Sequence, residues 1–404
     1  MGKEMDNARM GTRAVWAGEK EFRAFGSTQI PVMLGVAYDY EDVDVWYEAA
    51  MGERPGYIYN RMDNPTVQSL EEKIRMLEGA EAAVAFSSGM AAISSTLYTF
   101  LKPGDRVVSL KDTYGGTNKV FTEFLPNIQV GVELCTTEDQ EQIEREIAKG
   151  CTLLYLETPT NPTLKITDIR RLAQAAHAAG ALVLVDNTFA TPIQQNPLAL
   201  GADIVIHSAT KFISGHADAM GGVVCGSVEL MKAVYHYREI NGANMDPWSA
   251  YLILRGAKTL KLRVQQQVKS AMEIAQYLQT EPLVEAVYYP GLSTHPGHDI
   301  AKEQMRGYGS IVSIVLKDEM KGIKCLLSRL QYANRAGNLG AVETIYGPAR
   351  TTSHVECTPE ERKALGISEG LLRISVGIED TEDLIEDLRQ AFAYLQSERL
   401  HYTT

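Results

Sequence analysis

The chain has 404 residues, 45% hydrophobic and 22% charged, which is ordinary for a globular protein with two or three domains around a large buried core. A formal net charge of −12 with no block of like charges argues against a nucleic-acid surface, and no stretch approaches a membrane span. The five cysteines are scattered, odd in number and free of CxxC spacing, which suits reduced thiols in a cytoplasmic protein rather than a disulfide framework.

Residues 1–61 lack strong periodicity and read as an arm that finds its burial on something else, such as a partner subunit. Their first residues, with Glu4, Asp6 and Arg9, have no apolar core for a signal peptide. Residues 62–250 alternate helix with short apolar strand, which predicts an α/β fold with right-handed crossovers and a mainly parallel sheet. The first such strand, Ala82-Ala83-Val84-Ala85-Phe86, runs into Ser87-Ser88-Gly89-Met90 and a helical pattern from 91 to 101. Strand, hydroxyl-rich turn and helix N-terminus make an anion cradle from free backbone N–H groups; an ordinary N-cap is the bland alternative. The run 106–110 precedes Tyr114-Gly115-Gly116, whose paired glycines also suit a plain turn. The run 152–156 precedes Glu157 and a proline-rich loop, and Thr167-Asp168 then opens a helix that Gly180 closes.

The run 181–185 ends in Asp186-Asn187-Thr188, a carboxylate at the sheet edge that needs a cationic partner such as a protonated pyridine nitrogen. No His or carboxylate cluster with metal spacing lies near it, so no metal is expected. The run 202–206 is too short for a helix, and Lys211 follows it beyond a strand's carboxyl end, where open α/β sheets bind ligands. An amine held there by small hydroxyl residues can carry an aldehyde as a Schiff base, although most such lysines are solvated loop residues. Together, sites for phosphate, pyridinium and aldehyde on one sheet edge point to pyridoxal 5′-phosphate (PLP). Residues 251–404 form a smaller C-terminal α/β domain, with a long helical pattern through 260–278 and strands at 309–316 and 371–376. Arg373 inside the last strand is hard to dismiss as solvated, because a buried charge wants an anionic partner.

The chain resembles the γ-class PLP enzymes of cysteine and methionine metabolism, which include cystathionine γ-lyases and γ-synthases, methionine γ-lyases and homoserine-ester sulfhydrylases. The likeness runs from about Thr12 to Leu395 through Tyr59-Asn60-Arg61, Asn64-Pro65-Thr66, Ser87-Ser88-Gly89-Met90, Tyr114-Gly115-Gly116, Glu157-Thr158-Pro159-Thr160-Asn161-Pro162, Val185-Asp186-Asn187-Thr188, Ser208-Ala209-Thr210-Lys211 and Leu372-Arg373-Ile374-Ser375-Val376-Gly377. It implies the fold type I (aspartate aminotransferase-like) architecture, with Lys211 as the cofactor's covalent anchor and proton shuttle. It further implies Asp186 on the pyridinium, Asn161 near the ring oxygen, and Gly89, Met90, Ser208 and Thr210 on the phosphate. Tyr114 would stack on the ring and protonate the leaving group, and Arg373 would grip the substrate carboxylate through its planar fork. Tyr59 and Arg61 would reach the phosphate of a neighbouring subunit, in a homotetramer of two active dimers.

The expected reaction is γ-elimination on a γ-substituted amino acid, giving an α-keto acid and ammonia; γ-replacement by an incoming nucleophile is the alternative. An aminotransferase on the same fold is a rival from a different class. Departures from the family cluster on substrate-facing motifs. Gly116 stands where methionine γ-lyases carry a cysteine, Asn338 replaces the usual serine before Leu339-Gly340, and Thr352-Ser353-His354 replaces Met-Thr-His. The segment Gly35-Val36-Ala37-Tyr38 also differs. Arg350 is a candidate second anion contact for an acidic or polar γ-substituent, with a solvated loop arginine as the competing reading. Unusual leaving groups or nucleophiles, including nitrogen ones, stay open.

Overall fold

The computed structural model of the chain describes residues 5, 7–355 and 357–402. Its large sheet has seven strands: β1 (Ala82–Phe86), β2 (Arg106–Leu110), β3 (Gly131–Cys135), β4 (Leu153–Glu157), β5 (Leu182–Asp186), β6 (Ile204–Ser208) and β7 (Gly222–Gly226). Their spatial order is β1-β7-β6-β5-β4-β2-β3. All pairings from β6 through β5, β4 and β2 to β3 are parallel, and only β7 runs against its neighbours β6 and β1.

The central strands are apolar on both faces because helices cover both. Alternation assigns the faces. Val84, Phe86, Leu153, Tyr155, Leu184, Ile204 and Ile206 pack beneath the helices Gly89–Phe100 and Val228–Asn241. The intervening Ala85, Leu154, Leu156, Val183, Val185 and Val205 pack beneath Pro65–Glu78, Ile169–Ala178 and Pro247–Ala257. Caps set the helix starts: Asp168 accepts from the N–H of Arg171, and Asn64 accepts from those of Thr66 and Val67, with Pro65 at the first turn. Gly180 closes its loop in the left-handed region at φ +74°.

A second sheet of five strands has the order β10-β11-β12-β9-β8, from β8 (Val284–Tyr288), β9 (Ile311–Leu316), β10 (Asn334–Arg335), β11 (Ile345–Pro348) and β12 (Leu371–Ser375). It is mostly antiparallel, and its core is closed by the helices Leu260–Gln279, Glu319–Arg329 and Thr381–Tyr402. Among the described residues the arm, aperiodic as a sequence, forms the short helices Met10–Trp16 and Val43–Ala50. The second starts where Asp42 accepts from the N–H groups of Asp44 and Val45, a local signal independent of periodicity. Buried Lys73 holds the arm's first helix to the body, donating to the Ala14 carbonyl at 2.9 Å and pairing with buried Glu19 at 3.2 Å. In contrast, Leu34, Val36, Val43, Trp46, Tyr47 and Met51 are exposed.

Because β1, β2, β4, β5 and β6 point the same way, Phe86, Leu110, Glu157, Asp186 and Ser208 end at one edge. The loops that follow them face β12 of the second sheet, and a cavity lies in that seam.

Candidate active site

The cavity is about 220 Å³ and is lined by residues from both sheets, among them Gly89, Tyr114, Asp186, Lys211, Leu339 and Arg373. Met90, Asn161, Ser208 and Thr210 also line it. Lys211 enters from the turn after β6. Its Nζ donates to the side-chain oxygen of Asn338 at 2.7 Å. Burial, and next the charge of Arg373, bring its ammonium down from lysine's usual 10.5 to about 8. A lysine so placed holds a large neutral fraction near physiological pH, as a nucleophilic or proton-carrying amine requires.

Asp186 closes β5 and is 8% exposed. Its Oδ1 accepts from the N–H of Thr188 at 2.9 Å, and the Tyr155 hydroxyl lies 3.5 Å from Oδ2. Among the described residues no ion pair reaches it, and burial raises its pKa above the ordinary carboxylate range. A buried carboxylate with an open approach from a cavity and no ion-pair partner among the described residues fits a protonated ring nitrogen.

At the far end, Ser88 caps the helix Gly89–Phe100, its Oγ accepting from the N–H of Ala91 at 3.0 Å. Gly89, at the start of this helix, lies close against Ser208. A Cβ on Gly89 would stand 2.8 Å from Cβ of Ser208, so only glycine leaves the backbone open there. Backbone donors, a helix N-terminus and hydroxyls together suit a phosphate.

Arg373, 3% exposed on β12, donates Nη1 to Oδ1 of Asn161 at 2.9 Å and Nη2 to the carbonyl of Asn338 at 3.0 Å. Its Nε is buried without a hydrogen-bond partner, and burial lowers its pKa to about 10. A cation with an unused donor invites an anion such as a carboxylate. These features fit PLP with an amino-acid substrate: an amine for the aldehyde, a carboxylate for the ring nitrogen, a cradle for the phosphate and an arginine for the substrate carboxylate.

The structure therefore brings together most of the candidates read from the sequence. Asn338 meets both Lys211 and Arg373, from a loop whose neighbours Gly337 and Leu339 line the cavity. Three candidates lie elsewhere. Tyr59 is 42% exposed and stacks with Arg61 at 5.7 Å, and Arg61 donates to the carbonyl of Glu239; neither lines the cavity of its own chain. Arg350 is turned outward, 3.4 Å from Glu369, and does not line the cavity. Glu157, which carried no role in the sequence reading, does line it, as do Thr352 and Ser353.

A family model described as Cys/Met metabolism PLP-dependent enzyme matches residues 11–393. The L-methionine gamma-lyase of Fusobacterium nucleatum subsp. polymorphum is 42% identical over 384 residues, covering 94% of this chain and 97% of that protein. The cystathionine gamma-lyase of Bacillus subtilis is 44% identical over 351 residues, covering 86% of this chain and 92% of that one. A crystal structure of the cystathionine gamma synthase from Xanthomonas oryzae pv. oryzae, in complex with aminoacrylate and cysteine, superposes with a TM-score of 0.92 at 36% identity, covering 96% of this chain and 99% of that one.

Proposed function

Because the chain belongs to the Cys/Met metabolism PLP-dependent enzyme family, we propose that it eliminates the γ-substituent of an L-amino acid, releasing an α-keto acid and ammonia. It is a PLP-dependent enzyme with the α/β, fold type I architecture of that family. The observation that carries the proposal is the meeting of Lys211, Asp186 and Arg373 in one cavity.

When bound, PLP supplies an electron sink for the charge that develops at the substrate's α-carbon. Arg373 binds the substrate carboxylate and, being buried, orients it in a water-poor site where its charge acts strongly. Lys211 would anchor the cofactor, and as a free amine it would take the substrate's α-proton. Its lowered pKa matches that duty near neutral pH. Asp186 keeps the ring nitrogen protonated, which a carboxylate in this dry position does well because a paired charge there is far better than a lone one. Gly89, Met90, Ser208 and Thr210 would hold the phosphate, and Asn161 would serve the ring oxygen. Tyr114, at the mouth of the cavity and 42% exposed, gives its hydroxyl proton to the departing γ-atom.

We assign Tyr59 and Arg61 to the phosphate of a neighbouring subunit, in a homotetramer of two active dimers. Their distance from their own chain's cavity and the exposed apolar side chains of the arm support this. The division into an arm (1–61), a cofactor domain (62–250) and a C-terminal domain (251–404) is supported by the two separate sheets. A cytoplasmic setting is supported by the free, buried thiols of Cys135 and Cys225, and among the described residues no helix is long and apolar enough to cross a membrane.

The second reading is γ-replacement, favoured by the likeness to a cystathionine gamma synthase. Purified protein incubated with cystathionine, methionine, homocysteine, canavanine and O-acyl homoserines, with and without sulfide or cysteine, separates the two. Keto acid and ammonia formed without a nucleophile support elimination. Products that appear only when a thiol is added support replacement. Amino-group exchange with an oxo-acid and no loss of a γ-group makes the protein an aminotransferase.

A further inference from the structure

Glu157 ends β4 directly beside Asp186, its register partner on β5, and is 5% exposed within the cavity wall. Its two carboxylate oxygens are used separately. Oε2 accepts from the backbone N–H of Tyr114 at 2.8 Å, and Oε1 accepts from the backbone N–H of Asn161 at 3.0 Å. One side chain thus fastens the loop after β2 to the loop after β4. The tie continues, since Oδ1 of Asn161 receives the guanidinium of Arg373 at 2.9 Å.

We propose that Glu157 is a positioning residue of this enzyme, a two-pronged clip that sets Tyr114 and the Asn161–Arg373 pair at a fixed spacing across the cavity. The proposal rests on the reading of Lys211, Tyr114 and Arg373 given above.

The chemistry of the side chain explains why a carboxylate is needed. Only a carboxylate offers two acceptor oxygens and no donor, whereas glutamine would turn an NH₂ group toward one of the two N–H groups. The arrangement is also poor as a mere stabiliser. Among the described residues no cation pairs with Glu157, it lies beside a second buried carboxylate, and burial followed by the charge of Asp186 pushes its pKa well up. A group that destabilises its surroundings in this way, while holding two cavity loops, serves the site rather than the core.

The test uses Glu157→Gln and begins with the apoprotein. Amide hydrogen exchange at whichever of the Tyr114 and Asn161 N–H groups meets the new NH₂ should quicken by about tenfold, while the amides within β4 and β5 keep their wild-type rates. In the PLP-loaded variant turnover should drop by roughly 10²-fold, because a misplacement of about 1 Å suffices for that. Wild-type exchange at both amides, or wild-type turnover, overturns the proposal. If Glu157→Gln does not fold, Glu157→Asp is measured instead. Its shorter side chain cannot span both loops, so the same two changes are expected and wild-type values again overturn the clip. A wild-type protein that forms no coloured complex with PLP overturns the reading of Lys211, whereas exchange in the apoprotein decides Glu157 by itself.

Discussion

The ε-amine of Lys211 and the side-chain oxygen of Asn338 stand 2.7 Å apart, joining the proposed anchor of the cofactor to the loop that also receives Arg373. In the proposed mechanism this oxygen would be the acceptor that holds the lysine's free amine. Asn338→Ala should therefore lower turnover about tenfold, the usual worth of one neutral hydrogen bond, and leave cofactor content unchanged. Asn338→Ser, which restores the residue usual in the family, should recover part of the loss, because a hydroxyl also accepts. Saturation kinetics with PLP content measured by absorbance would check both. Full activity in the alanine variant would remove Asn338 from the proton-transfer scheme.

The lowered pKa of Lys211 has its own signature. The neutral, reactive amine grows as pH rises through about 8, rather than through lysine's usual 10.5. In apoprotein treated with a limiting acylating reagent, label on the Lys211 peptide should climb about tenfold per pH unit below that point and level off above it. A rate still climbing steeply between about pH 9 and pH 10 would contradict the burial argument. In parallel, Lys211→Ala should show neither turnover nor the visible band of the bound cofactor.

The large sheet was legible because its strands are buried on both faces and read as short apolar runs with turn signals between them. Site residues follow from that pattern, since Gly89, Tyr114, Asn161, Asp186 and Lys211 each come just after or at a strand's carboxyl end. Glu157 escaped because a glutamate at the end of an apolar run looks like an ordinary solvated charge; its two N–H partners are set by folding. The tie between Lys211 and Asn338 spans 127 positions, beyond any local pattern. Arm helix Val43–Ala50 carries apolar residues at helical spacing, Val43, Trp46 and Tyr47, but spans only 8 residues, too few for the period to stand out.

Arg350 illustrates the same limit in reverse. It is 3.4 Å from Glu369, which also binds Arg362 through Nε at 2.9 Å and Nη2 at 2.7 Å. This cluster keeps Arg350 outside the lining of the cavity. Arg350→Ala should thus change kcat/KM by less than about threefold and by one common factor for acidic, neutral and basic γ-substituents, as expected for an exposed pair. A change exceeding tenfold for one class of substrate would return Arg350 to the binding site.

Asp186 should separate stability from function. In the apoprotein it is a buried carboxylate without an ion-pair partner, its pKa raised chiefly by burial. A carboxylate whose folded pKa is raised disfavours the folded state as pH climbs above about 3.9, the ordinary value, and the penalty is complete above the folded pKa. Asp186→Asn removes that charge while keeping an oxygen for the N–H of Thr188. The apo variant should melt a few degrees higher than wild-type apoprotein at pH 7.5, by roughly 1–2 kcal/mol, with the gap closing toward about pH 4. Loading with PLP should reverse the order, because only the carboxylate pairs with a protonated ring nitrogen. The variant should then bind the cofactor more weakly and turn over at least about 10²-fold more slowly, a loss on the order of the 2.7 kcal/mol or more expected from removing a charge partner at the reacting ring. Melting curves of both forms across pH, beside PLP titrations, would decide it. An apo variant less stable than wild type at pH 7.5 would mean that Asp186 is held by the fold itself and not kept for a cation.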